Sequence, residues 1–321
     1  MKKSTKIWLI VATILSLAGL LMFAVTMAAG GWDFSRLNSV KFVSNTHCIT
    51  EDFTNIYIDT DTADVSLVRS ENDECKVVLR EALNEKHTVT TEDGTLKISI
   101  KDNRKWYEHI TFFSFSLPKI TIYLPENVYG ALTVKQDTGD IKLTSDFTFE
   151  SVDLSGSTGD ARLSSTVTGP VRIERSTGDV EVQSTKVSAL ALITSTGDVD
   201  VTSVDCGGKI YVSVSTGEVE MENVSCETLT STGSTGEITL ENVTVSGQIN
   251  IKRSTGDVEL EHSDAAEIYV ITDTGDVRGS LKTSKIFFTE TDTGDVNVPR
   301  STEGGICDIK TDTGDIKITI K

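Results

Sequence analysis

Apolar and polar residues alternate with a period of two through most of the chain after about residue 53. In residues 258–261, Val-Glu-Leu-Glu, the alternation puts apolar side chains on one face of an extended strand and charged ones on the other. The one segment that reads as a helix lies near the N-terminus, at residues 7–29. The pattern therefore predicts an all-β fold preceded by a single helix.

A glycine recurs every 19 or 20 residues, usually inside the triplet Thr-Gly-Asp. The residues two and four positions after it are apolar, with Gly279 as the exception, and in most units so are those seven and five positions before it. Each unit thus holds two short strands joined by a turn, and glycine suits a turn that needs positive φ. The ten turn glycines are Gly139, Gly159, Gly178, Gly197, Gly217, Gly236, Gly256, Gly275, Gly294 and Gly314.

Two short strands cannot bury an apolar face alone, so successive units are expected to stack in register. The predicted fold is a parallel β-helix, or β-solenoid, of about ten coils over residues 135–321. At about 4.8 Å per coil the rod would be about 48 Å long. Val180, Val199 and Val219 should then lie in one vertical pile. A sandwich or a propeller is the alternative, but a propeller blade takes about 40–45 residues.

Residues 53–134 show the same alternation in irregular form, with Ala63 in the place of the turn glycine, and are predicted to be decorated coils that cap the rod. One stretch of this cap is rich in aromatic residues. It is interpreted either as a plug for the apolar core or as a set of binding anchors. Its candidate binding residues are Trp106, Tyr107, Phe112 and Phe113.

The segment at residues 7–29 carries no charge and is long enough to cross a bilayer, which takes about 20 residues. Lys2, Lys3 and Lys6 precede it, which favours a cytoplasmic tail of residues 1–6, a linker at 30–52 and an extracellular β region. The chain is thus predicted to be a single-pass membrane protein. The alternative is a cleaved signal peptide, because residues 28–30 are small.

The exported part is strongly acidic. Without Lys2, Lys3 and Lys6 it holds 27 basic and 48 acidic residues, a formal charge of −21. Binding to nucleic acid requires Lys and Arg to displace counterions, so nucleic acid is not expected as a partner. Cationic groups or divalent metal ions fit the charge, although acidity also keeps a β-rich surface soluble.

An acid follows every turn glycine, and two hypotheses explain it. The carboxylates either accept hydrogen bonds from turn amides or form a row of weak Ca²⁺ sites. Glu218 and Glu237 occupy two of the positions. The calcium candidates are Asp140, Asp160, Asp179, Asp198, Asp257, Asp276, Asp295 and Asp315.

The chain shows no catalytic or cofactor-binding motif, and its four histidines are scattered. We expect no enzyme and no cofactor; a polysaccharide-cleaving β-helix is the remote alternative, and it would need a distinct pair of carboxylates. Five cysteines leave at least one thiol unpaired. Cys206 and Cys226 share an interior column in adjacent coils, either as buried free thiols or as a disulfide.

The chain resembles the bacterial "putative adhesin" β-strand-repeat family, a domain of unknown function. The residues that carry the resemblance are Thr-Ala-Asp-Val-Ser-Leu-Val at 62–68, Asp-Gly-Thr-Leu-Lys-Ile-Ser-Ile at 93–100, Ile-Thr-Ile-Tyr-Leu-Pro at 120–125 and the Thr-Gly-Asp units. The resemblance implies a parallel β-helix at the cell envelope without enzymatic activity. It also implies an association with envelope stress or with membrane regulatory proteins.

The resulting hypothesis is a non-enzymatic cell-surface scaffold or adhesin-like rod on a membrane anchor. Its expected partners are the membrane and a protein or polysaccharide of the cell wall or envelope. The alternative is an envelope-stress sensor that acts through a membrane regulatory partner.

Overall fold

The computed structural model describes residues 3–29, 31–32, 42–83, 85–102 and 118–321. Helix α1, Lys3–Ala29, precedes the β region. Its segment Trp8–Ala29 has a mean hydropathy of 2.4, which suits a helix that crosses a membrane or a signal sequence. The strands before the first regular turn are β1 Phe42–Ile49, β2 Asn55–Thr62, β3 Asp64–Arg69, β4 Cys75–Ala82, β5 Glu85–Glu92, β6 Thr95–Asp102, β7 Lys119–Leu124 and β8 Val128–Thr138.

The remaining strands repeat a pattern of a longer strand before each turn glycine and a shorter one after it. They are β9 Ile141–Leu143, β10 Thr148–Thr158, β11 Ala161–Leu163, β12 Thr166–Val167, β13 Pro170–Thr177, β14 Val180–Gln183, β15 Lys186–Val187, β16 Ala189–Thr196, β17 Val199–Thr202, β18 Asp205–Cys206, β19 Lys209–Thr216, β20 Val219–Glu222, β21 Ser225–Cys226, β22 Thr228–Thr235, β23 Ile238–Glu241, β24 Thr244–Thr255, β25 Val258–Thr274, β26 Val277–Leu281, β27 Lys285–Thr293, β28 Val296–Asn297, β29 Gly305–Thr313 and β30 Ile316–Ile320.

These strands stack as a β-solenoid, which confirms the predicted fold class. Each coil is named here by its turn glycine. Strands after the glycine form sheet A, strands before it form sheet B, and both sheets pair in parallel from coil to coil. Val180 pairs with Val199 and Val199 with Val219, and all three are at most 1% exposed. The apolar core is therefore the predicted vertical pile.

The N-terminal end of the solenoid is closed by its own strands. β2 and β3 form a first coil around Ala63 and pair with β8 and β9. β6 and β7 cover this coil in parallel, and β5, β4 and β1 add antiparallel strands outside them. The segment 30–52, expected to be a linker, thus contains β1. Its alternation is weak because it is an edge strand with half-buried positions.

The last two coils do not stack in sequence order, which corrects the expected strict succession. β29 lies between β25 and β27, and β30 lies between β26 and β28. The Gly314 coil, which is last in the sequence, is therefore inserted beneath the Gly294 coil. The Gly294 coil forms the C-terminal end of the rod.

The inserted coil has the more apolar inward side. Its inward residues Cys307, Ile309, Ile316 and Ile318 are at most 2% exposed. The Gly294 coil has Thr289 at one equivalent position and Pro299 just after β28. Proline has no N–H to give to a ladder and is tolerated at sheet edges. Burying the aliphatic coil on both sides and leaving the proline-containing coil at the edge removes more apolar surface from water.

Engineered cysteines test this order. Thr274 pairs with Thr313, and Thr313 with Thr293, so Thr274 and Thr293 are two coils apart. In a background with Cys48→Ser, the pair Thr274→Cys and Thr313→Cys should form a disulfide, because in-register neighbours are about 4.8 Å apart. Peptide mass mapping without reductant should detect it.

The matched pair Thr274→Cys and Thr293→Cys should stay reduced, at about 9.6 Å. Oxidation of this second pair with the first remaining free would show that the coils follow the sequence order.

Candidate functional site

The Thr-Gly-Asp turns form one continuous column along the rod. All ten turn glycines have φ between +119° and +156°. A Cβ added at any of them would lie 1.9–2.3 Å from the turn carbonyl oxygen of a neighbouring coil. The glycine N–H of one coil donates to the threonine carbonyl of the next, as from Gly178 to Thr196 at 2.9 Å. Glycine is thus required both by the backbone conformation and by the close stacking.

The acids after the glycines form a hydrogen-bond ladder. The Asp140 Oδ1 accepts the backbone N–H of Asp160 at 2.9 Å, and the Asp179 Oδ1 accepts that of Asp198 at 2.9 Å. Eight such bonds link neighbouring coils. The acceptors are Asp64, Asp140, Asp160, Asp179, Asp198, Asp257, Asp276 and Asp315. This arrangement supports the turn-capping hypothesis, with the amide supplied by the adjacent coil.

The ladder is interrupted where glutamate replaces aspartate. Glu218 donates its N–H to Asp198 at 2.8 Å, but neither Glu218 nor Glu237 accepts such a bond within the described ranges. Glutamate is one methylene longer than aspartate, which changes the reach of its carboxylate. Partial burial and the nearby Asp257 raise the pKa of Glu237.

The aspartates of this column are also the calcium candidates predicted from the sequence. In the described part of the chain, no three His, Cys, Asp or Glu side chains gather as ligands for a metal ion. All the calcium candidates except Asp295 use one carboxylate oxygen for the ladder. Calcium needs several converging oxygens, so the geometry favours amide capping. Calcium binding stays a prediction.

The outer face of sheet A gathers carboxylates at strand spacing. Asp200 stands in register between Glu181 and Glu220. Desolvation first, and then repulsion from Glu220, Glu181, Asp198 and Asp179, raises the pKa of Asp200. This face is thus a repulsive acidic surface, held together by the backbone ladder beneath it.

A buried polar network ties the cap together, and its residues were missed in the sequence. The Thr60 hydroxyl lies 2.8 Å from His87 Nε2, and His87 Nδ1 lies 3.1 Å from a carboxylate oxygen of Glu81. Asn45 on β1 donates to the other oxygen of Glu81 at 2.7 Å. No local motif joins these residues, because four different strands bring them together.

This hydroxyl–imidazole–carboxylate order matches that of a hydrolytic triad, but the three side chains are closed off. Thr60, Glu81 and His87 are 4%, 2% and 7% exposed. A nucleophile must reach its substrate, and the Thr60 hydroxyl is covered on all sides. The network therefore links β1, β2, β4 and β5 through buried hydrogen bonds.

Two arginines lie inside the solenoid, three residues before their turn glycines. Arg175 and Arg253 are each 1% exposed, and burial lowers the pKa of both to about 10. Their guanidinium groups lie over Gly156 and Gly233 of the preceding coils, where a Cβ would be 2.0 Å from Nη1. Each arginine thus depends on a glycine beneath it.

Other sequence candidates have simpler outcomes. Trp106, Tyr107, Phe112 and Phe113 lie outside the described residues. All five cysteines are free, and Cys206 and Cys226 are buried thiols in adjacent coils. An aromatic cluster does lie at the start of the rod, where Tyr129 packs against Phe53, Phe147 and Phe149.

The family model described as Toastrack DUF4097 matches residues 53–210 and 207–321. No curated protein matches the chain in sequence. A "putative adhesin" from Bacteroides fragilis is 14% identical, over 88% of this chain and 97% of its own, with a TM-score of 0.39.

Two solved structures from Parabacteroides distasonis are similar as well. One is described as a "putative adhesin", 11% identical over 87% of this chain and 98% of its own, with a TM-score of 0.46. The other is described as a "putative lipid binding protein", 13% identical over 87% and 96%, with a TM-score of 0.45.

Substituting a turn glycine tests the stacking constraint. Gly197→Ala should lower the free energy of unfolding by at least about 2 kcal/mol, because it adds backbone strain at φ +138° and a contact of 2.1 Å with the Gly178 carbonyl oxygen. The midpoint of urea unfolding measures the loss. Gly207→Ala is the matched control, since its Cβ would lie 3.9 Å from the nearest atom. Equal midpoints for the two variants would contradict the constraint.

The acidic face predicts a pH-dependent effect of Asp200→Asn. A raised pKa means that the folded chain binds the proton more readily than the unfolded chain, so charged Asp200 costs stability above its folded-state pKa. The variant should be more stable at pH 7, and this advantage should fade as the pH falls towards the ordinary value of 3.8. Urea unfolding at several pH values checks it.

Asp153→Asn is the control, because Asp153 pairs with Thr133 and Arg172 on sheet B. An Asp200→Asn advantage that is absent at pH 7, or unchanged down to pH 3.8, would show that the charged Asp200 carboxylate does not destabilise the folded chain.

Proposed function

This chain belongs to the Toastrack DUF4097 family, and from that premise we propose that it is a non-enzymatic, adhesin-like scaffold held at the cell surface by α1. The observation that carries the proposal is that an apolar helix precedes an acidic solenoid in the same chain. Every described side chain of α1 except Met27 is exposed, as suits a helix surrounded by lipid. The solenoid supplies a long, repeated outer surface.

The same architecture argues for a scaffold and against an enzyme. Repeated coils of the same backbone geometry give walls without a unique pocket. The one hydroxyl–imidazole–carboxylate arrangement among the described residues is buried in the cap. We assign it a structural role.

A sensing role is the second candidate, and the cap network favours it. β1 is the first described strand after α1, and Asn45 ties it to Glu81, His87 and Thr60. A pull on α1 would thus reach the first coil through buried polar contacts. In this proposal a membrane regulatory partner binds the chain differently when the first coil is altered.

Membrane anchoring is tested with the full chain carrying a C-terminal epitope tag in a bacterial host. The tag should sediment with membranes after alkaline carbonate extraction, and protease added to intact spheroplasts should remove it. The double variant Leu15→Arg and Leu20→Arg should lose both properties, because each arginine at a helix centre costs about 2.5–3.5 kcal/mol on insertion.

Cells that display the chain should also be retained on surfaces coated with envelope fragments, in contrast to cells with the double variant. A soluble product whose N-terminus lies near residue 30 would show a cleaved signal sequence and overturn the anchor. Retention equal to that of the double variant would overturn the adhesive role.

A further inference from the structure

Exposed apolar side chains gather at the C-terminal end of the rod. Seven large apolar side chains are exposed among the described residues of the β region. Four of them lie in the last three coils, at 36–55% exposure. Ile271, Phe288 and Ile306 are on the outer face of sheet B, and Val296 is at an inward position of sheet A in the end coil. Scattered single exposures are ordinary, but a cluster of this kind marks an interaction site.

A carboxylate stands among Ile271, Phe288 and Ile306 on the outer face of sheet B. Asp308 of the inserted coil pairs in register with Tyr269 on one side and with Phe288 on the other. Residues directly opposite one another share a face, so the three side chains form an aromatic–carboxylate–aromatic column. Ile306 and Lys310 flank Asp308 along its own strand.

Asp308 lacks the partners that a shielded carboxylate needs. Its Oδ1 is hidden from solvent and accepts no hydrogen bond from any described residue. Lys310, which could have neutralised it, lies 3.6 Å from Glu290 instead. One oxygen of this half-buried carboxylate is thus shielded without a hydrogen-bond donor, and the negative charge favours a cation beside it.

The neighbouring groups increase the negative charge of the patch. The Tyr269 hydroxyl donates to Glu267 at 3.1 Å. This bond first, and the negative charges of Glu267 and Asp308 as well, raise the pKa of Tyr269, which keeps the phenol neutral. Glu267, Asp308 and Glu290 thus outnumber the nearby positive charges, which are those of Lys310 and of Lys252, the in-register neighbour of Ile271.

The spacing of the column suits an organic cation. Neighbouring strands are about 4.8 Å apart, so Tyr269 and Phe288 are separated by about 9.6 Å. A cation seated over Asp308 would be about 5 Å from each aromatic position, within the range of about 6 Å for cation–π attraction. A metal ion would need several oxygen ligands here, whereas an alkylated ammonium or a guanidinium gains from both rings.

We propose that Tyr269, Asp308 and Phe288 form a binding site for an organic cation, either an ammonium or a guanidinium group. The cation pairs with the Asp308 carboxylate and packs between the two rings. The site is independent of the scaffold proposal, because it requires neither membrane insertion nor adhesion.

The test uses the full chain in maltoside micelles with labelled isoleucine methyl groups. Choline and N-acetylarginine amide are titrated separately, and the methyl signals of Ile271 and Ile306 are followed. At least one cation should give saturable shifts with a Kd in the millimolar range. The uncharged analogue 3,3-dimethylbutan-1-ol should bind at least about tenfold more weakly than choline if choline is the ligand.

Variants separate the site from a general acidic attraction. Asp308→Asn and Phe288→Leu should each weaken binding by about tenfold or more. Asp153→Asn is the matched control, because Asp153 occupies the same column of sheet B between Thr133 and Arg172, without aromatic neighbours. It should leave the Kd unchanged. Unshifted methyl signals in distant coils show that the variants remain folded.

The outcomes are distinct. Tighter binding of choline identifies a quaternary ammonium headgroup, and tighter binding of the arginine amide identifies a protein side chain; both support the site. The proposal is overturned if neither cation saturates, if choline and its uncharged analogue bind alike with no response to the arginine amide, or if Asp308→Asn binds like the unmodified chain. Loss of adhesion with cation binding retained would remove only the scaffold proposal.

Discussion

The close approach of successive turns governs this molecule. Each turn glycine lies so near the carbonyl oxygen of the next turn that a Cβ would stand about 2 Å from it, for example at Gly197 and Gly236. This contact fixes the vertical register of every coil, and with it the pairing of both sheets and the continuity of the apolar core. The carboxylate ladder follows from the same register, because Oδ1 of one aspartate reaches the amide of the next only when the turns coincide.

A strict repeat gives every coil the same backbone, so features unique to one coil arise where the repeat is broken. Glutamate in place of aspartate opens the ladder at Glu218 and Glu237, and arginine in place of threonine fills the interior at Arg175 and Arg253. The cap network and the exchanged coils are the two largest departures. Both lie at the ends of the rod, where stacking no longer dictates each side chain. Specific binding is therefore to be sought at the ends.

The sequence predicts the repeated part well because its information is local. The period of 19 or 20 residues, the alternation and the turn glycines determine strand, face and register for coils such as those of Gly178 and Gly197. The cap network was beyond such reasoning, since Thr60, Glu81 and His87 meet only through tertiary crossing. The coil exchange left a readable signal in Pro299 and in the more polar inward side of its coil. Periodicity alone treats all ten units as equivalent, so it predicts stacking in sequence order and does not use that signal.

The proposed cation site depends on the exchange. In sequence order Phe288 would neighbour Tyr269 directly, and Asp308 would lie at the open edge in contact with water. Insertion of the Gly314 coil moves the carboxylate between the rings and shields its Oδ1. Lys285 of the end coil then reaches across to Asp264 at 2.6 Å, and both are largely buried. Gly304 and Gly305 at the start of β29 have no room for a Cβ against the neighbouring coils. Because both are glycines, the inserted strand can begin between β25 and β27. The contacts that hold the inserted coil in place thus also keep Asp308 between Tyr269 and Phe288.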